Sequence, residues 1–219
     1  MRMRKLKWAH NLLMQAEVVA HEPAQLAGRW KQQLNCETLH VEIGCGKGDY
    51  WVGMGVLYPQ IGWIGIEKNE SAAGLSVRKF EESMHSEAMS FIWGDAEQID
   101  AWFETGEVDA IHLNFSDPWP KKRTTKRRLS NSRFLKKYER ILSDKGQIIM
   151  KTDNSALFEY SLLEFAAEGW ELYDVSVDFR REPHDEDVIT EYERRFMEKG
   201  QPIYRAIWNV PSHNHDLPE

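Results

Sequence analysis

Residues 39–49 read LHVEIGCGKGD and decide the fold class of this chain. Residues 39–44 form a short, largely apolar run that predicts a buried strand, and a helix is expected after the glycines at positions 44, 46 and 48. A buried strand that enters a glycine-rich turn before a helix is typical of doubly wound α/β sheets, in which the turn approaches a ligand closely. The rest of the chain should therefore alternate between strands and helices.

That alternation is present in the sequence. Further strands are predicted at 62–67, 89–95, 109–115, 147–153, 170–179 and 202–209. Helices are predicted at 71–84, 133–142 and 155–168, with a short one from about Thr190. This order predicts an α/β fold with a doubly wound, mostly parallel sheet and helices on both faces.

The two ends of the chain differ from this alternating middle. Residues 1–35 are expected to form a basic arm followed by two helices, one with an apolar face over positions 12–19 and one over 23–34. A single domain over residues 1–210 fits the chain length. The polar residues 211–219 contain two prolines and predict a disordered tail.

Composition excludes several classes of protein. With 42% hydrophobic and 29% charged residues, the sequence is that of an ordinary globular protein. Its apolar runs are too short to span a membrane, and the N-terminus lacks the apolar core of a secretory signal. The two cysteines form neither a disulfide framework nor a metal-binding motif. We therefore expect a cytoplasmic protein without a metal or a membrane partner.

The net charge of −7 argues against a nucleic-acid partner only if the charges are spread evenly, and they are not. Six of the eight residues 121–128 are Lys or Arg, and residues 2–7 are also basic. Acidic residues are concentrated at 95–107 and 178–193. Because electrostatic fields act over about 8–10 Å in physiological salt, local patches matter more than the sum. An RNA partner therefore remains compatible with the composition.

The segment 113–129, LNFSDPWPKKRTTKRRL, places a carboxylate in a stiff turn directly after an apolar strand. Pro118 and Pro120 each fix the backbone φ angle and restrict the residue before them, so Asp117 is expected to be held in place. A flat base would stack on Trp119 beside this acceptor, and the basic block that follows would hold phosphates. The segment favours chemistry on a nucleic-acid base.

The glycine turn favours a particular cofactor. Asp49 occupies the position where a dinucleotide-binding fingerprint needs its third glycine, and Gly48 stands where a P-loop needs Ser or Thr. Carboxylates at Glu42 and Asp49 would repel a pyrophosphate. S-adenosylmethionine fits better, because it has no phosphate and carries a cationic sulfonium and ammonium.

Acidic residues also end successive predicted strands, with Glu67 after the second and Asp95 after the third. At such positions a carboxylate accepts hydrogen bonds from ribose hydroxyls or lies near an adenine amino group. Each acid taken alone could be a turn former or a helix cap, and the glycines alone could form a plain tight turn. Taken together, they converge on the crevice where doubly wound sheets bind ligands.

These motifs resemble the tRNA (guanine-N7)-methyltransferase family, which has the class I methyltransferase fold. The match runs from the basic arm to about Val210, and its most specific parts are DPWPK at 117–121 and TEYE at 190–193. The resemblance implies a Rossmann-like seven-stranded sheet and methyl transfer from S-adenosylmethionine to N7 of guanine 46 in the tRNA variable loop. Ser116 is a departure, since many members have proline there.

The resemblance also implies roles for individual residues. The cofactor-binding positions are Glu42, Gly44, Gly46, Glu67, Asp95 and Asp117, of which Asp117 is also the catalytic position. The substrate-binding positions are Lys121, Asp153, Thr190, Glu191, Tyr192 and Glu193. The RNA-contact segment comprises Arg123, Thr124, Thr125, Lys126, Arg127 and Arg128.

The implied reaction needs no general base, because guanine N7 carries an in-plane lone pair and no proton. Positive charge grows on the guanine ring as it leaves sulfur, so catalysis should rest on in-line positioning and on a stabilising carboxylate, for which we predict Asp117. Glu193 is a candidate acceptor for guanine N1–H and N2–H, and Asp153 a candidate to position the base or Lys121.

Structural roles compete with some of these assignments. Thr190 and Glu193 also fit a helix capping box, and Asp153 also fits a turn or a cap. His112 is expected to be a core histidine rather than a catalyst. The arm at residues 1–10 is expected to become ordered only when tRNA binds, and the sequence leaves monomer and homodimer both open.

Two other functions are considered beside the leading one. An amino-methyltransferase acting on another base or a protein amide would also use an Asp/Asn-Pro-Pro-aromatic turn, but the basic tail and TEYE count against it. A non-catalytic RNA-binding subunit would keep the fold with degenerate cofactor acids, whereas the acids implied here are all present. Cofactor binding separates the second alternative from an enzyme.

Overall fold

The computed structural model describes residues 5–211 of the 219-residue chain. Its sheet has the strand order β3-β2-β1-β4-β5-β7-β6, in which β1 to β5 are parallel and β7 is antiparallel to both of its neighbours. The predicted seven-stranded, mostly parallel sheet is confirmed. The strands are β1 Leu39–Ile43, β2 Gly62–Glu67, β3 Met89–Trp93, β4 Val108–Asn114, β5 Leu142–Thr152, β6 Glu171–Ser176 and β7 Tyr204–Asn209.

Helices cover both faces of this sheet. They are α1 Ala9–Gln15, α2 Trp30–Gln33, α3 Asp49–Leu57, α4 Glu70–Glu82, α5 Ile99–Trp102, α6 Ser132–Ile141, α7 Ser155–Ala167 and α8 Glu191–Met197. One large apolar cluster joins the strands to α6 and α7, and a second joins them to α1, α3 and α4. Strands β1 and β2 are buried on both faces, which explains why their sequences are almost continuously apolar.

The prediction of one helix over positions 23–34 is wrong. Residues Pro23–Leu26 form a 3₁₀ turn, the chain then breaks at Gly28, and α2 begins only at Trp30. The break is stabilised by Glu107, whose carboxylate accepts hydrogen bonds from the amides of Gly28 and Trp30, both at 2.9 Å. A distant acidic residue therefore overrides the local helical pattern.

The apolar face predicted over positions 12–19 is only partly helical. Helix α1 ends at Gln15, and the next residues run beside β3. The Phe91 amide donates to the Val18 carbonyl, and the Ala20 amide donates to the Phe91 carbonyl, both at 2.8 Å. Residues 18–20 therefore pair with the edge strand β3, and Val19 is buried there. The pairing gives the backbone amides and carbonyls hydrogen-bond partners in the sheet, so the helix does not continue.

The ends of the chain can be compared with their predictions only in part. Residues 1–4 and 212–219 lie outside the described part, and with them most of the predicted tail. Residues 5–8 contact α4, since the Leu6 amide donates to the Ser71 hydroxyl at 2.9 Å and the Arg78 guanidinium lies 4.5 Å from the Trp8 ring centre. Residues 5–8 thus pack against α4, and the order of residues 1–10 on tRNA binding stays a prediction.

Membrane-spanning helices and metal-binding side-chain clusters are both absent from residues 5–211. No helix in this range is long and apolar enough to cross a membrane. The same range contains no group of three or more His, Cys, Asp or Glu side chains that could hold a metal ion. Cys36 and Cys45 are both free thiols.

Candidate active site

A cleft opens at the carboxyl ends of β1, β2, β3 and β4, where the strand order reverses direction. It has two compartments that meet at Gly44 and Phe115, which line both. The first compartment is lined by Glu42, Gly44, Cys45, Gly46, Lys47, Asp49, Tyr50, Asn114, Phe115, Thr190, Glu191, Tyr192 and Arg195. The second is lined by Ile43, Gly44, Ile66, Glu67, Lys68, Gly94, Asp95, Ala96, Phe115, Ser116, Asp117, Trp119, Arg127 and Leu129.

The glycine loop forms the floor between the compartments. Gly44, Gly46 and Gly48 have φ angles of 74°, 59° and 79°, which side chains with a Cβ rarely adopt. The third glycine is also required by space, because a Cβ on Gly48 would lie 3.0 Å from the Ser76 backbone. The GxGxG spacing therefore encodes a left-handed turn packed against α4.

Glu42 is buried at the bottom of the first compartment. Its Oε1 accepts a hydrogen bond from the Asn114 side-chain amide at 3.0 Å. Glu42 Oε2 and Asn114 Oδ1 are buried and have no partner among the described residues. Burial raises the pKa of Glu42 to about 7, an effect that the Asn114 hydrogen bond opposes. Both oxygens can therefore accept hydrogen bonds from a ligand in the first compartment.

Carboxylates also line the second compartment. Glu67 accepts hydrogen bonds from the amide of Asn69 through Oε1, at 2.8 Å, and from the amide of Gly46 through Oε2, at 3.1 Å. Its burial raises the pKa of this carboxyl, while those amide bonds act in the opposite sense. Asp95 lies at the far wall, where its Oδ1 accepts from the Glu97 amide and its Oδ2 lies 3.6 Å from Lys68.

These donor and acceptor sets fit S-adenosylmethionine. The unpartnered acceptors of Glu42 and Asn114 suit the ammonium of an amino-acid tail, which needs buried acceptors. Glu67 and Asp95 suit the hydroxyls and the base of an adenosine in the second compartment. A pyrophosphate would meet carboxylates in both compartments, and the fit to a dinucleotide is correspondingly poor.

The Asp117 turn borders the second compartment in a strained backbone. Phe115 and Trp119 have φ angles of 51° and 40°, which are unusual for residues other than glycine. Asp117 itself is exposed at the mouth of the cleft. The turn is thus held in a costly conformation, which requires stabilising contacts from its surroundings.

Arg128, which the resemblance assigns to the RNA-contact segment, supplies such contacts. Its side chain is buried and donates to the carbonyls of Pro118, at 2.8 Å, and Trp119, at 3.3 Å. The guanidinium also lies 4.2 Å from the ring centre of Tyr160 on α7. These contacts hold two carbonyls of the Asp117 turn, so we expect Arg128 to act mainly on the turn.

The rest of the predicted RNA-contact segment lies at the surface. Residues Lys122–Arg127 form a 3₁₀ turn beside the cleft. The side chains of Lys121, Arg123, Lys126 and Arg127 are exposed there. The Thr124 and Thr125 hydroxyls donate to the carbonyls of Lys121 and Lys122, so they shape the turn.

Helix α8 forms the opposite wall of the first compartment. Its N-terminus has the anticipated capping box between Thr190 and Glu193. Thr190, Glu191 and Tyr192 line the cleft, as the substrate-binding prediction places them, but the fully buried Glu193 does not. The Glu191 amide also donates to Asp49 at 3.1 Å, which links α8 to the start of α3.

Glu193 belongs to a buried ion cluster behind this wall, which corrects its assignment as the guanine acceptor. Its Oε1 accepts from Arg180 at 2.6 Å, and its Oε2 lies 3.3 Å from Lys151 Nζ. Asp187 pairs with both of the same cations. Since its two oxygens are engaged by cations and the α8 cap, Glu193 positions the helix rather than the base.

This cluster continues into the sheet through hydrogen-bonding side chains. Tyr50 donates its hydroxyl to Asp187 and lies 3.1 Å from His112 Nδ1, while His112 Nε2 lies 3.2 Å from His40 Nδ1. Burial lowers the pKa of His112 well below its usual range and that of His40 to about 4. His112 is a buried histidine, as predicted.

Asp153 lies half-buried at the end of β5, near the same mouth as Asp117. Burial raises the pKa of Asp153. Burial also raises the pKa of the Tyr192 phenol, and the charges of Asp153 and Asp117 add to that effect. The cap of α7 is Asn154, which accepts from the Leu157 amide at 2.8 Å, so Asp153 does not serve as that cap.

Sequence reasoning missed several residues that shape this site. Asn114, Phe115, Lys151, Arg180 and Asp187 were not singled out, and all contact the cleft or the cluster behind it. One signal was present, since a lysine in the apolar strand QIIMKTD must find an acidic partner when it is buried. The partners could not be predicted, because they lie 36 and 42 residues away.

The sheet order, the glycine loop and the acidic strand ends define a methyltransferase of the class I type. A family profile described as "Putative methyltransferase" matches residues 36–206. Over most of its length the chain resembles proteins named tRNA (guanine-N(7)-)-methyltransferase. It is 44% identical to that of Bacillus licheniformis, over 96% of this chain and 100% of the relative. It is 43% identical to that of Bacillus subtilis strain 168, over 94% of this chain and 97% of the relative. The chain belongs to the tRNA (guanine-N7)-methyltransferase family.

Solved structures support the fold at low sequence identity. A structure titled as an antibiotic-related methyltransferase has a TM-score of 0.64 at 16% identity, over 89% of this chain and 98% of that chain. The 16S rRNA methyltransferase KamB has a TM-score of 0.62 at 12% identity, over 84% and 92% of the two chains. At such identities the likeness concerns the fold alone.

Proposed function

We propose that this protein transfers a methyl group from S-adenosylmethionine to N7 of a guanine in tRNA, namely guanine 46 of the variable loop. The observation that carries the proposal is the position of Asp117, which stands at the mouth of a cleft whose buried acceptors fit this cofactor. Family membership over nearly the whole chain supports both the reaction and the substrate.

The cofactor is assigned to both compartments. S-adenosylmethionine supplies an electrophilic methyl group on a sulfonium centre. Glu42 and Asn114 would bind its ammonium in the first compartment, and Gly44 and Gly46 leave room for close approach of the loop. Glu67 and Asp95 would bind the adenosine in the second. The sulfonium would therefore lie between the two compartments, beside Gly44 and Phe115, which line both.

The reaction requires the protein to position the two reactants and to stabilise the positive charge that develops. Guanine N7 attacks without losing a proton, so no side chain has to act as a base. The exposed carboxylate of Asp117 would stabilise the positive charge that develops on the guanine ring, an electrostatic role suited to a fixed turn. Asp117 is therefore the proposed catalytic residue.

Substrate contacts are assigned to the groups that remain available at the mouth. Asp153 directly follows β5, the strand next to β4, and its half-buried carboxylate is suited to accept hydrogen bonds from guanine N1–H and N2–H. Lys121 and the exposed members of the basic turn, Arg123, Lys126 and Arg127, would contact phosphates. We further propose a cytoplasmic enzyme whose residues 1–210 act as one domain, with tRNA as its partner.

The test is methyl transfer from labelled S-adenosylmethionine to an unmodified tRNA transcript, mapped by cleavage specific for N7-methylguanine. Label at one variable-loop guanine is expected, and a transcript with adenine at that position serves as the control. Label at an exocyclic amine would favour an amino-methyltransferase. Failure to bind S-adenosylhomocysteine would favour the non-catalytic RNA-binding alternative.

A further inference from the structure

Phe115 occupies a position in the cleft that neither the turn motif nor the basic block explains. It follows β4 directly and lines both compartments. Its φ angle of 51° lies in the left-handed region, which a bulky aromatic residue enters only when its surroundings impose it. Its amide donates to the Lys151 carbonyl at 2.8 Å, and this bond holds the strained residue against β5. The ring is therefore aimed at the junction of the compartments.

A second aromatic ring extends this surface toward the solvent. The centroids of Phe115 and Tyr192 lie 5.0 Å apart, and Tyr192 in turn contacts Phe196 at 4.9 Å. Tyr192 is 46% exposed although it is a large side chain. Asp117 lines the second compartment together with Phe115. The aromatic surface at the mouth thus adjoins the proposed catalytic carboxylate.

Trp119, the residue for which base stacking was predicted, is less suited to it. The Arg127 guanidinium lies 5.0 Å from the centre of its ring and covers one face. Trp119 also lines the second compartment together with Glu67 and Asp95, where an adenosine is assigned. One face of the Trp119 ring is therefore covered, and Trp119 does not line the first compartment, as Phe115 and Tyr192 do.

We propose that Phe115 and Tyr192 form the surface on which the target guanine stacks, and that Phe115 sets the base in line with the methyl group. The inference rests on the proposed function and assigns a positioning role to a residue outside the predicted site. In the step it serves, the bond from N7 to the methyl carbon forms as the sulfur–carbon bond breaks. The electron pair of that bond stays on sulfur, the guanine becomes cationic, and no proton moves.

The experiment compares single-turnover methyl transfer in four variants at saturating tRNA and S-adenosylmethionine. Phe115→Leu should lower the rate constant on the order of 10²-fold, because a base displaced by about 1 Å loses its alignment. Tyr192→Leu should lower it about tenfold through lost stacking. Phe115→Tyr should stay within about threefold of the native rate, since the ring is kept. Tyr173→Leu is the matched control, since it removes a similarly exposed tyrosine, 66% exposed, from the sheet edge strand β6.

Binding measurements separate positioning from damage to the fold. Phe115→Leu should lower the saturated rate by a larger factor than it raises the Kd for S-adenosylhomocysteine, because alignment of the base depends on the ring more than cofactor binding does. The double variant Phe115→Leu/Tyr192→Leu should lose less than the product of the two single effects, because both residues serve one surface. If Phe115→Leu does not fold, Tyr192→Leu and Phe115→Tyr carry the test alone.

Three outcomes would overturn the inference while native methyl transfer to tRNA remains intact. The first is a saturated rate that stays unchanged in Phe115→Leu or Tyr192→Leu. The second is a saturated rate that is lost in Trp119→Leu but not in those two variants. The third is a double variant whose loss of rate equals the product of the two single losses. An inactive native enzyme would instead count against the proposed function itself, so the two failures can be told apart.

Discussion

Glu42 is the residue at which function and stability oppose each other most directly. A fully buried carboxylate with one unpartnered oxygen is costly to ionise, and its pKa of about 7 expresses that cost. The same oxygen is what the proposed ammonium contact requires. We therefore expect Glu42 to serve the ligand at a cost to the fold.

Replacing this carboxyl should stabilise the free protein at alkaline pH. Below pH about 4.5, the carboxyl is protonated in the folded and unfolded states alike. Between pH about 4.5 and 7 only the unfolded state ionises, so stability falls as pH rises. Glu42→Gln removes this loss, which amounts to up to about 3 kcal/mol above pH 7. Thermal melts at pH 5 and pH 8 should therefore show a much larger gain in Tm at pH 8 than at pH 5.

Cofactor binding should show the opposite pH dependence. An ionised Glu42 is needed for the ammonium, so affinity should weaken as pH falls below about 7 and approach a tenfold loss per unit. Cys45 and Tyr50 beside it have pKa values raised by burial, so both stay neutral in this range. Calorimetry with S-adenosylhomocysteine from pH 5.5 to 7.5 measures this. Glu42→Gln should bind weakly at every pH, and an unchanged pH profile in that variant would point to another titrating group.

Arg128 and Arg123 should respond differently to substitution although they lie five residues apart in one basic segment. Arg128→Ala removes the donors to Pro118 and Trp119, so the rate should fall about tenfold or more with little change in the salt dependence of tRNA binding. Arg123→Ala, at an exposed position, should weaken tRNA binding and reduce the slope against salt by about one. Filter binding at several salt concentrations checks both, and a reduced slope for Arg128→Ala would support its assignment as an RNA contact.

Residues at the carboxyl ends of strands could be predicted from sequence, and residues that act through distant partners could not. The carboxylates of Glu42, Glu67 and Asp95 follow from strand ends alone, and the structure brings them to one cleft. Arg128 looks like its basic neighbours in sequence, and only its contacts with the preceding turn distinguish it. Glu193 likewise fits its motif but is turned toward Lys151 and Arg180.

At the scale of elements, α8 is held by charges rather than by an apolar face. Its first turn is joined to the sheet through Lys151 and Glu193, and to the preceding loop through Arg180 and Asp187. The cluster contains two cations and two anions, so its net charge is zero. A paired buried cluster specifies one position for the helix, whereas removing one partner leaves a buried charge uncompensated.

Arg180→Met should therefore loosen α8 and the cleft wall that it forms. The change leaves Glu193 and Asp187 with Lys151 as their shared cation, and stability should fall by about 3–5 kcal/mol. Methyl transfer at a temperature where the variant is folded should also fall, because Tyr192 is carried by the same helix. Arg194→Met is the control, an exposed change on α8 that should cost less than about 0.5 kcal/mol. Equal effects of the two variants would show that the buried cluster does not position α8.

The sheet strands were the best predicted elements, and the N-terminal helices the worst. Strands such as β2 Gly62–Glu67 are continuous apolar runs buried on both faces, so their pattern carries the full signal. The helix predicted over 23–34 has a suitable pattern, yet Gly28 and the carboxylate of Glu107 interrupt it. A local sequence pattern cannot reveal the contact between Gly28 and Glu107, because the two residues are 79 positions apart.

Over the whole molecule, charge is separated between the cleft rim and the remaining surface. The basic turn Lys122–Arg127 borders the cleft, while the chain as a whole has a net charge of −7. We expect the basic turn to attract RNA to the mouth although the chain as a whole is acidic. The distribution of charge, rather than its sum, thus agrees with the proposed tRNA partner.

One carboxylate joins residues 28–30 of the N-terminal extension to the body of the protein. Glu107 accepts hydrogen bonds from the amides of Gly28, Trp30 and Glu104, each at 2.9 Å. Trp30 is fully buried in the main apolar cluster, and its indole donates to the Trp102 carbonyl at 2.7 Å. The extension is therefore part of the folded core rather than an appendage.

Glu107→Ala should uncouple this extension at a substantial cost in stability. Three amides lose their acceptor at once, and the free energy of unfolding should fall by about 3 kcal/mol. Glu104→Ala removes an exposed carboxylate from the same turn and should change it by less than about 0.5 kcal/mol. Urea denaturation measures both, and hydrogen exchange should be faster at Gly28 and Trp30 only in Glu107→Ala. Slow exchange at both amides in that variant would mean that apolar burial of Trp30 alone fastens the extension.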